Sequence, residues 1–228
     1  MIATITLALL FSLWQKADKN TQPLISATDP EYLGCTTWTG KAWTNPSPRS
    51  VRTPIVESPK GFRAYAEVKV AVNDSTCTNT TTLYVASGAG QNFKVVYTKQ
   101  PSTSDGNGIR LIGWSPSGES LLAEVNLWTY ETDTGYGHVA LLYNASAGLT
   151  KEVPALDEAL NRQFGRDCNF ETAITGWKTD NQILVKISPY IDSEEGEQHS
   201  CVKDPVIVVY DLQKGTVQAA RSKPQKPK

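Results

Sequence analysis

Histidine and methionine are almost missing from this chain, whose 228 residues include two His and one Met. So few imidazoles leave little material for proton transfer or for a histidine-rich metal centre. An excess of either charge is missing too, with 22 Lys and Arg set against 23 Asp and Glu. That balance argues against a nucleic acid or an anionic membrane recognised through bulk charge. No apolar run reaches the roughly 20 residues that a membrane-crossing helix needs. The Gly-x-Ser-x-Gly elbow of serine hydrolases is absent, as are Cys-x-x-Cys pairs and the Asp-x-Asp-x-Asp-Gly order of a calcium hand.

Thr, Val, Tyr and Trp are plentiful. Branched and aromatic side chains pack well on a pleated surface, so the composition predicts strands. The apolar stretch from Met1 to Trp14 is too short to span a bilayer. It predicts a secretory signal, with Ala17 and Ala27 as candidate ends and a buried N-terminal strand or helix as the alternative. All four cysteines (Cys35, Cys77, Cys168 and Cys201) follow it. Their even number and spacing predict two disulfides in an oxidising compartment, hence a secreted or periplasmic protein. Three connectivities are open. Pairing Cys35 with Cys77 and Cys168 with Cys201 is preferred because each pair lies in neighbouring elements. The chain divides into residues 1–27 (leader and linker), a β domain over 28–220, and a basic, Pro-containing tail over 221–228 expected to be disordered.

One segment recurs three times within that domain. Ser58-Pro59-Lys60-Gly61 precedes Ala64-Tyr65-Ala66-Glu67-Val68. Trp114-Ser115-Pro116-Ser117-Gly118 precedes Leu121-Leu122-Ala123-Glu124-Val125. Trp177-Lys178-Thr179-Asp180-Asn181 precedes Ile183-Leu184-Val185-Lys186-Ile187. Pro presets φ, and Gly or Asn tolerates positive φ, so each first part is a turn. Beyond the first turn, Phe62, Ala64, Ala66, Val68 and Val70 alternate with Arg63, Tyr65, Glu67 and Lys69, the period of a half-buried strand. A second element follows each time (Thr82 to Val85, Leu141 to Asn144, Val208 to Asp211) and runs to Gly88, Gly148 or Gly215. Each unit is therefore expected to hold four strands, over approximately 52–98, 109–153 and 172–220. Pro154 to Phe164, stopped by Gly165, predicts one helix with Leu156, Leu160 and Phe164 on one face.

The run GWSPSGESLLAEV followed by ALLYNASAG resembles the WD40-like repeats of TolB-type β-propellers and the blades of prolyl-oligopeptidase-type propellers. The resemblance covers roughly residues 52–220. It implies an all-β, propeller-like array of four-stranded antiparallel blades, acting through protein contacts. Three units fall short of the four to eight blades of a closed propeller. Tyr32 to Trp43 is a candidate for a degenerate fourth, and an open or two-sheet β-sandwich is the alternative.

Candidate site residues lie between the strands. Trp128, Tyr130, Tyr136 and His138 are either contact anchors for a partner or sugar ring, or the packed strand ends of a long hairpin. Asp192, Glu194, Glu195, Glu197 and His199 lie in a long loop, where calcium is a minor alternative to a solvated tip. His199 with Cys168 and Cys201 has ligand chemistry but no zinc spacing. Residues 72–80, 128–138 and 189–204 are the corresponding variable loops, and loops on a repeated scaffold are the usual place for binding. Asn73, Asn79 and Asn144 stand in glycosylation sequons. No catalytic set and no required cofactor is expected. The expected role is that of an exported binding module for a protein partner, with a secreted hydrolase or a carbohydrate-binding or envelope structural protein as rivals.

Overall fold

The computed structural model describes residues 28–36, 41–42, 44–73, 76–130, 135–153, 155–190 and 200–219, with the backbone alone at 136 and 155. They form three antiparallel sheets whose strands follow chain order. Sheet 1 holds β1 (Arg49–Arg52), β2 (Val56–Glu57), β3 (Arg63–Asn73), β4 (Thr76–Ala86) and β5 (Lys94–Lys99). Sheet 2 holds β6 (Asp105–Trp114), β7 (Ser120–Thr129), β8 (Gly135–Asn144) and β9 (Leu149–Glu152). After the helix α1 (Ala155–Phe164) comes sheet 3, with β10 (Phe170–Thr179), β11 (Gln182–Pro189), β12 (Val206–Asp211) and β13 (Thr216–Ala219). The three units read from the sequence are thus three sheets, and the all-β expectation holds.

The turns form where Pro and Gly punctuate the sequence. Gly61 at φ 83° and Gly118 at φ 76° occupy a region that L side chains avoid. Sheet 1 departs from the common pattern in its first strand, which is split. Pro54 has no N–H to give to a ladder. Thr53 bridges the gap, exchanging 2.9 Å bonds with Ala66 through its own N–H and its Oγ1. Both pieces, β1 and β2, pair with β3.

Two cores separate the sheets. In the first, Ala64, Ala66, Val68, Leu83 and Val85 of sheet 1 pack with Ile109, Leu121, Ala123, Val125 and Leu141 of sheet 2. In the second, Leu122 and Ala140 on the other side of sheet 2 pack with Ile183, Val185, Ile187 and Tyr210 of sheet 3 and with Leu156 and Leu160 of α1. Sheet 2 is covered on both sides, which is why β7 is apolar at successive positions and not only alternate ones.

The two interfaces are built alike. The ladders pair Glu57 with Arg63 and Val56 with Ala64, Trp114 with Leu121 and Gly113 with Leu122, and Trp177 with Ile183 and Gly176 with Leu184, so Ala64 corresponds to Leu122 and Leu184. In each core the face bearing Leu121 or Ile183 packs on the face of the preceding sheet that bears Ala64 or Leu122. The other face of sheet 1 bears Tyr65, Glu67 and Lys69. The three sheets therefore stack in one repeating sense, and the described residues form no closed ring.

Indole hydrogen bonds tie the units at their turn ends. Trp114 Nε1 donates to the Val56 carbonyl at 3.2 Å, and Trp177 Nε1 donates to the Gly113 carbonyl at 2.9 Å. Lys60 pairs with Glu119 between the first two turns, and Ser117 N–H donates to Asp180 Oδ1 at 2.7 Å between the second and third.

Residues 29–35 form an arm along the free edge of β6, where Ile109 N–H donates to the Pro30 carbonyl at 2.8 Å. Apart from one bridge at Leu33, the described residues of 28–48 form no strand, so the expected fourth blade is replaced there by an arm (37–40 and 43 lie outside the described residues). The disulfides follow the local pairing. Cys35–Cys77 fixes the arm to β4 with Cα atoms 6.0 Å apart, and Cys168–Cys201 joins the chain before β10 to the chain before β12 at 5.3 Å. Residues 1–27 and 220–228 lie outside the described residues, so the leader and tail expectations are not addressed by the fold.

Candidate functional site

A cleft of about 990 Å³ opens between sheets 2 and 3. Its floor is the opposite face of sheet 2, where the register sets Arg110 across from Glu124 and Asn126 across from His138. The arm contributes Glu31 and Tyr32, β10 contributes Glu171 and Thr172, and α1 contributes Asp157 and Asn161. Arg166, Asn169 and Tyr190 complete the mouth.

Arg110 is the hub of the floor. It pairs with Glu124 through one amine, lies 3.3 Å from Glu31 Oε1 through Nε, and donates to the Ile174 carbonyl of sheet 3 at 3.2 Å. It thereby holds arm, middle sheet and third sheet together. Asn126 Nδ2 donates to Glu31 Oε1 at 3.1 Å. Burial pushes the Glu31 carboxyl above its ordinary range, although Arg110 and Asn126 pull the other way. Burial, with the Glu31 charge next to it, pushes the Tyr32 phenol up to about 12. Two carboxylates thus share one guanidinium in a site partly withdrawn from water. Glu124 is 3% exposed, and its Oε1 is buried without a hydrogen-bond donor among the described residues.

His138, Glu124 and Thr172 invite comparison with a hydrolytic triad, and the geometry is wrong for one. A triad needs the hydroxyl on one imidazole nitrogen and the acid on the other. Here Thr172 Oγ1 at 2.7 Å and Glu124 Oε1 at 3.7 Å both face Nε2. No relay passes through the ring. His138 instead links β8 to β10 across the cleft.

The sequence-predicted residues divide. His138 lies on the floor. Trp128 was expected in a loop and is a correction: it lies in β7, 0% exposed, against Gly106 and 5.8 Å from the Tyr32 ring. Tyr130 faces inward too, giving its O–H to Asn79 Oδ1 at 2.6 Å and accepting Asn79 N–H at 2.8 Å. For these two the packed-hairpin alternative is the one found. Tyr136 lies in β8, its side chain outside the described atoms. Asp192, Glu194, Glu195, Glu197 and His199 lie outside the described residues. The loops shrink accordingly: β3 and β4 pair as far as Asn73–Thr76, and β7 and β8 are joined by residues 130–134. Asn79 is fully buried, so its sequon offers no accessible acceptor in the fold. Cys168 and Cys201 are spent on a disulfide.

Sequence reasoning missed Glu31, Arg110 and Glu124. A signal was present. Ala-Glu-Val occurs at 66–68 and 123–125, and an Arg stands directly across from each Glu, Arg52 opposite Glu67 and Arg110 opposite Glu124. A carboxylate inside a strand that is apolar on both sides requires such a partner.

No protein-family model matches the chain, and no curated protein and no solved structure gives a significant match to it.

Proposed function

We propose that the chain is an exported, non-catalytic binding module, a propeller-like array of blades that holds a segment of a partner protein between its second and third sheets. The observation that carries this reading is the cleft itself, open to solvent and floored by a buried polar network anchored on Arg110. A concave site with a few convergent polar groups is the default binding site of a fold. Its volume suits an extended segment of several residues. The two disulfides support export, since such bonds persist in oxidising compartments. The resemblance to TolB-type blades supports a protein partner. The placement of both polar contacts on one nitrogen of His138 favours binding over hydrolysis.

Panning a random peptide library on the immobilised protein tests this reading. Selected peptides should lose binding to Asn169→Trp, which plugs the exposed mouth, and keep binding to a variant altered on sheet 1 such as Glu57→Gln. Peptides indifferent to the plug would remove the cleft from consideration.

A further inference from the structure

Resting on the reading of the cleft as the binding site, we infer that it takes a cationic group, a lysine or arginine side chain of the partner segment. The charges lining the cleft do not balance. Four carboxylates (Glu31, Glu124, Asp157 and Glu171) face two guanidiniums (Arg110 and Arg166), a net of −2 from these groups. Arg110 is already committed to two of the carboxylates and a carbonyl.

A second observation points the same way. Glu124 is a buried carboxylate whose Oε1 has no hydrogen-bond donor among the described residues, and it points toward His138 and the cleft that both residues line. Buried acceptors in folded proteins are ordinarily satisfied, so one left open beside a cleft marks where a donor belongs. An ammonium or guanidinium entering between Glu171, Asp157 and this floor would meet negative potential in a low-dielectric setting, where it is felt most. The neutral lining, Asn126, Asn161, Asn169 and Thr172, supplies oxygen acceptors for the remaining N–H groups of such a ligand. A bare divalent ion fits less well, because among the described residues no three His, Cys, Asp or Glu side chains converge as ligands.

Fluorescently labelled peptides of alternating Gly and Arg, and of alternating Gly and Glu, serve as probes in an anisotropy titration at low and moderate salt. The basic peptide should bind and the acidic one should not. Glu171→Gln and Asp157→Asn are exposed changes that leave the core untouched. Each should weaken the basic peptide about threefold to fivefold, as expected for one partly screened charge, and Glu57→Gln on sheet 1 should have no effect. Equal binding of the basic peptide to wild type and to the Glu171→Gln, Asp157→Asn double variant would overturn the inference, since the attraction would then belong to the surface at large. Library peptides that depend on the cleft but carry no Lys or Arg would also overturn it, leaving the binding site itself standing. If no peptide of any charge responds to Asn169→Trp, the site falls and the cation with it.

Discussion

Trp177 gives its indole N–H to the carbonyl of Gly113 at 2.9 Å, joining sheet 3 to the sheet before it, and Trp114 repeats the bond one unit earlier to Val56 at 3.2 Å. The first unit has Glu57 at the matching position, and no sheet of the described residues precedes it to receive such a bond. Trp177→Phe keeps a ring in the interface, removes the donor and leaves a carbonyl unpaired. It should cost about 1–2 kcal/mol in a denaturant titration, with a similar loss for Trp114→Phe. A loss below measurement error in both would show that ring packing alone joins the units.

Tyr130 and Asn79 form a second tie. The phenol is donor to Asn79 Oδ1 and acceptor from its N–H, while Asn79 Nδ2 reaches the Leu33 carbonyl of the arm. Tyr130→Phe strands two buried groups at once. Destabilisation of about 1–3 kcal/mol is expected, read as an earlier urea midpoint at unchanged slope.

The arm depends on the smallness of Gly108. A Cβ there would stand 2.1 Å from the Glu31 carbonyl oxygen, an atom of the backbone that cannot swing away. Gly108→Ala should push the arm off β6, cost about 1–3 kcal/mol as overpacking does, and open the arm to proteolysis. Gly61→Ala, which meets no atom within 4 Å but sits at φ 83°, should destabilise without exposing the arm.

Acid should separate two carboxylates by the sign of their effect. Asp180 has a lowered pKa, chiefly from the Ser117 N–H. Its contribution is present above the ordinary value of 3.8 and is lost as pH falls through the lower folded value. Glu31 is raised by burial, so the folded state binds its proton more readily and stability falls as pH rises from 4.5 through the raised value. Stability curves against pH for Asp180→Asn and Glu31→Gln, each minus wild type, should therefore slope in opposite directions across the acid range. Parallel slopes would contradict the assignment.

Removing Cys168–Cys201 tests the cleft from another side. The bridge closes 33 residues and Cys35–Cys77 closes 42, so loop entropy assigns each about 4 kcal/mol at most. Their effects on stability should be alike. Both losses should also weaken cleft ligands, since Cys168 lines the cleft itself and Cys35–Cys77 fixes the arm that brings Glu31 and Tyr32 to it. Unchanged cleft binding without either bridge would deny the site this covalent support.

Alternation, turn chemistry and the number of cysteines made the strands, the turns and the presence of two disulfides legible in the chain, and the neighbourhood of the elements favoured the pairing found without fixing it. α1 was legible for the same kind of reason, since Leu156 and Leu160 are buried in the second core. What the pattern did not carry was which sheet each face meets. Ala64 and Leu121 stand at the same distance after Ser58 and Ser115, yet the first turn closes one residue sooner, Ser58 N–H reaching Phe62 where Ser115 N–H reaches Ser120, so the two lie on opposite faces of their sheets and meet. Trp128 misled because an aromatic near a turn looks the same in sequence whether it projects or packs, and Gly106, which makes the room for it, lies 22 positions away along the chain. The cleft was hidden in a similar way. It is assembled from an arm, three strands of one sheet and the first strand of another, and only the repeated Arg–Glu pairing left a trace in the primary structure.

The repeated interface gives the stack a polarity. Sheet 2 offers the next unit a far side with a carbonyl awaiting an indole, and sheet 3 carries Gly176 at the position where sheet 2 has Gly113, each a positive-φ glycine at a register shift. Sheet 1 has already spent its apolar side on its successor. Toward the outside it shows Tyr65 stacked on Tyr84, with Arg52 over Tyr65 and Glu67 beside them, a surface finished in charge and aromatic rings. A further unit of the same kind could be grafted by gene duplication after sheet 3 and would find a seat; placed before sheet 1, it would meet a terminal cap.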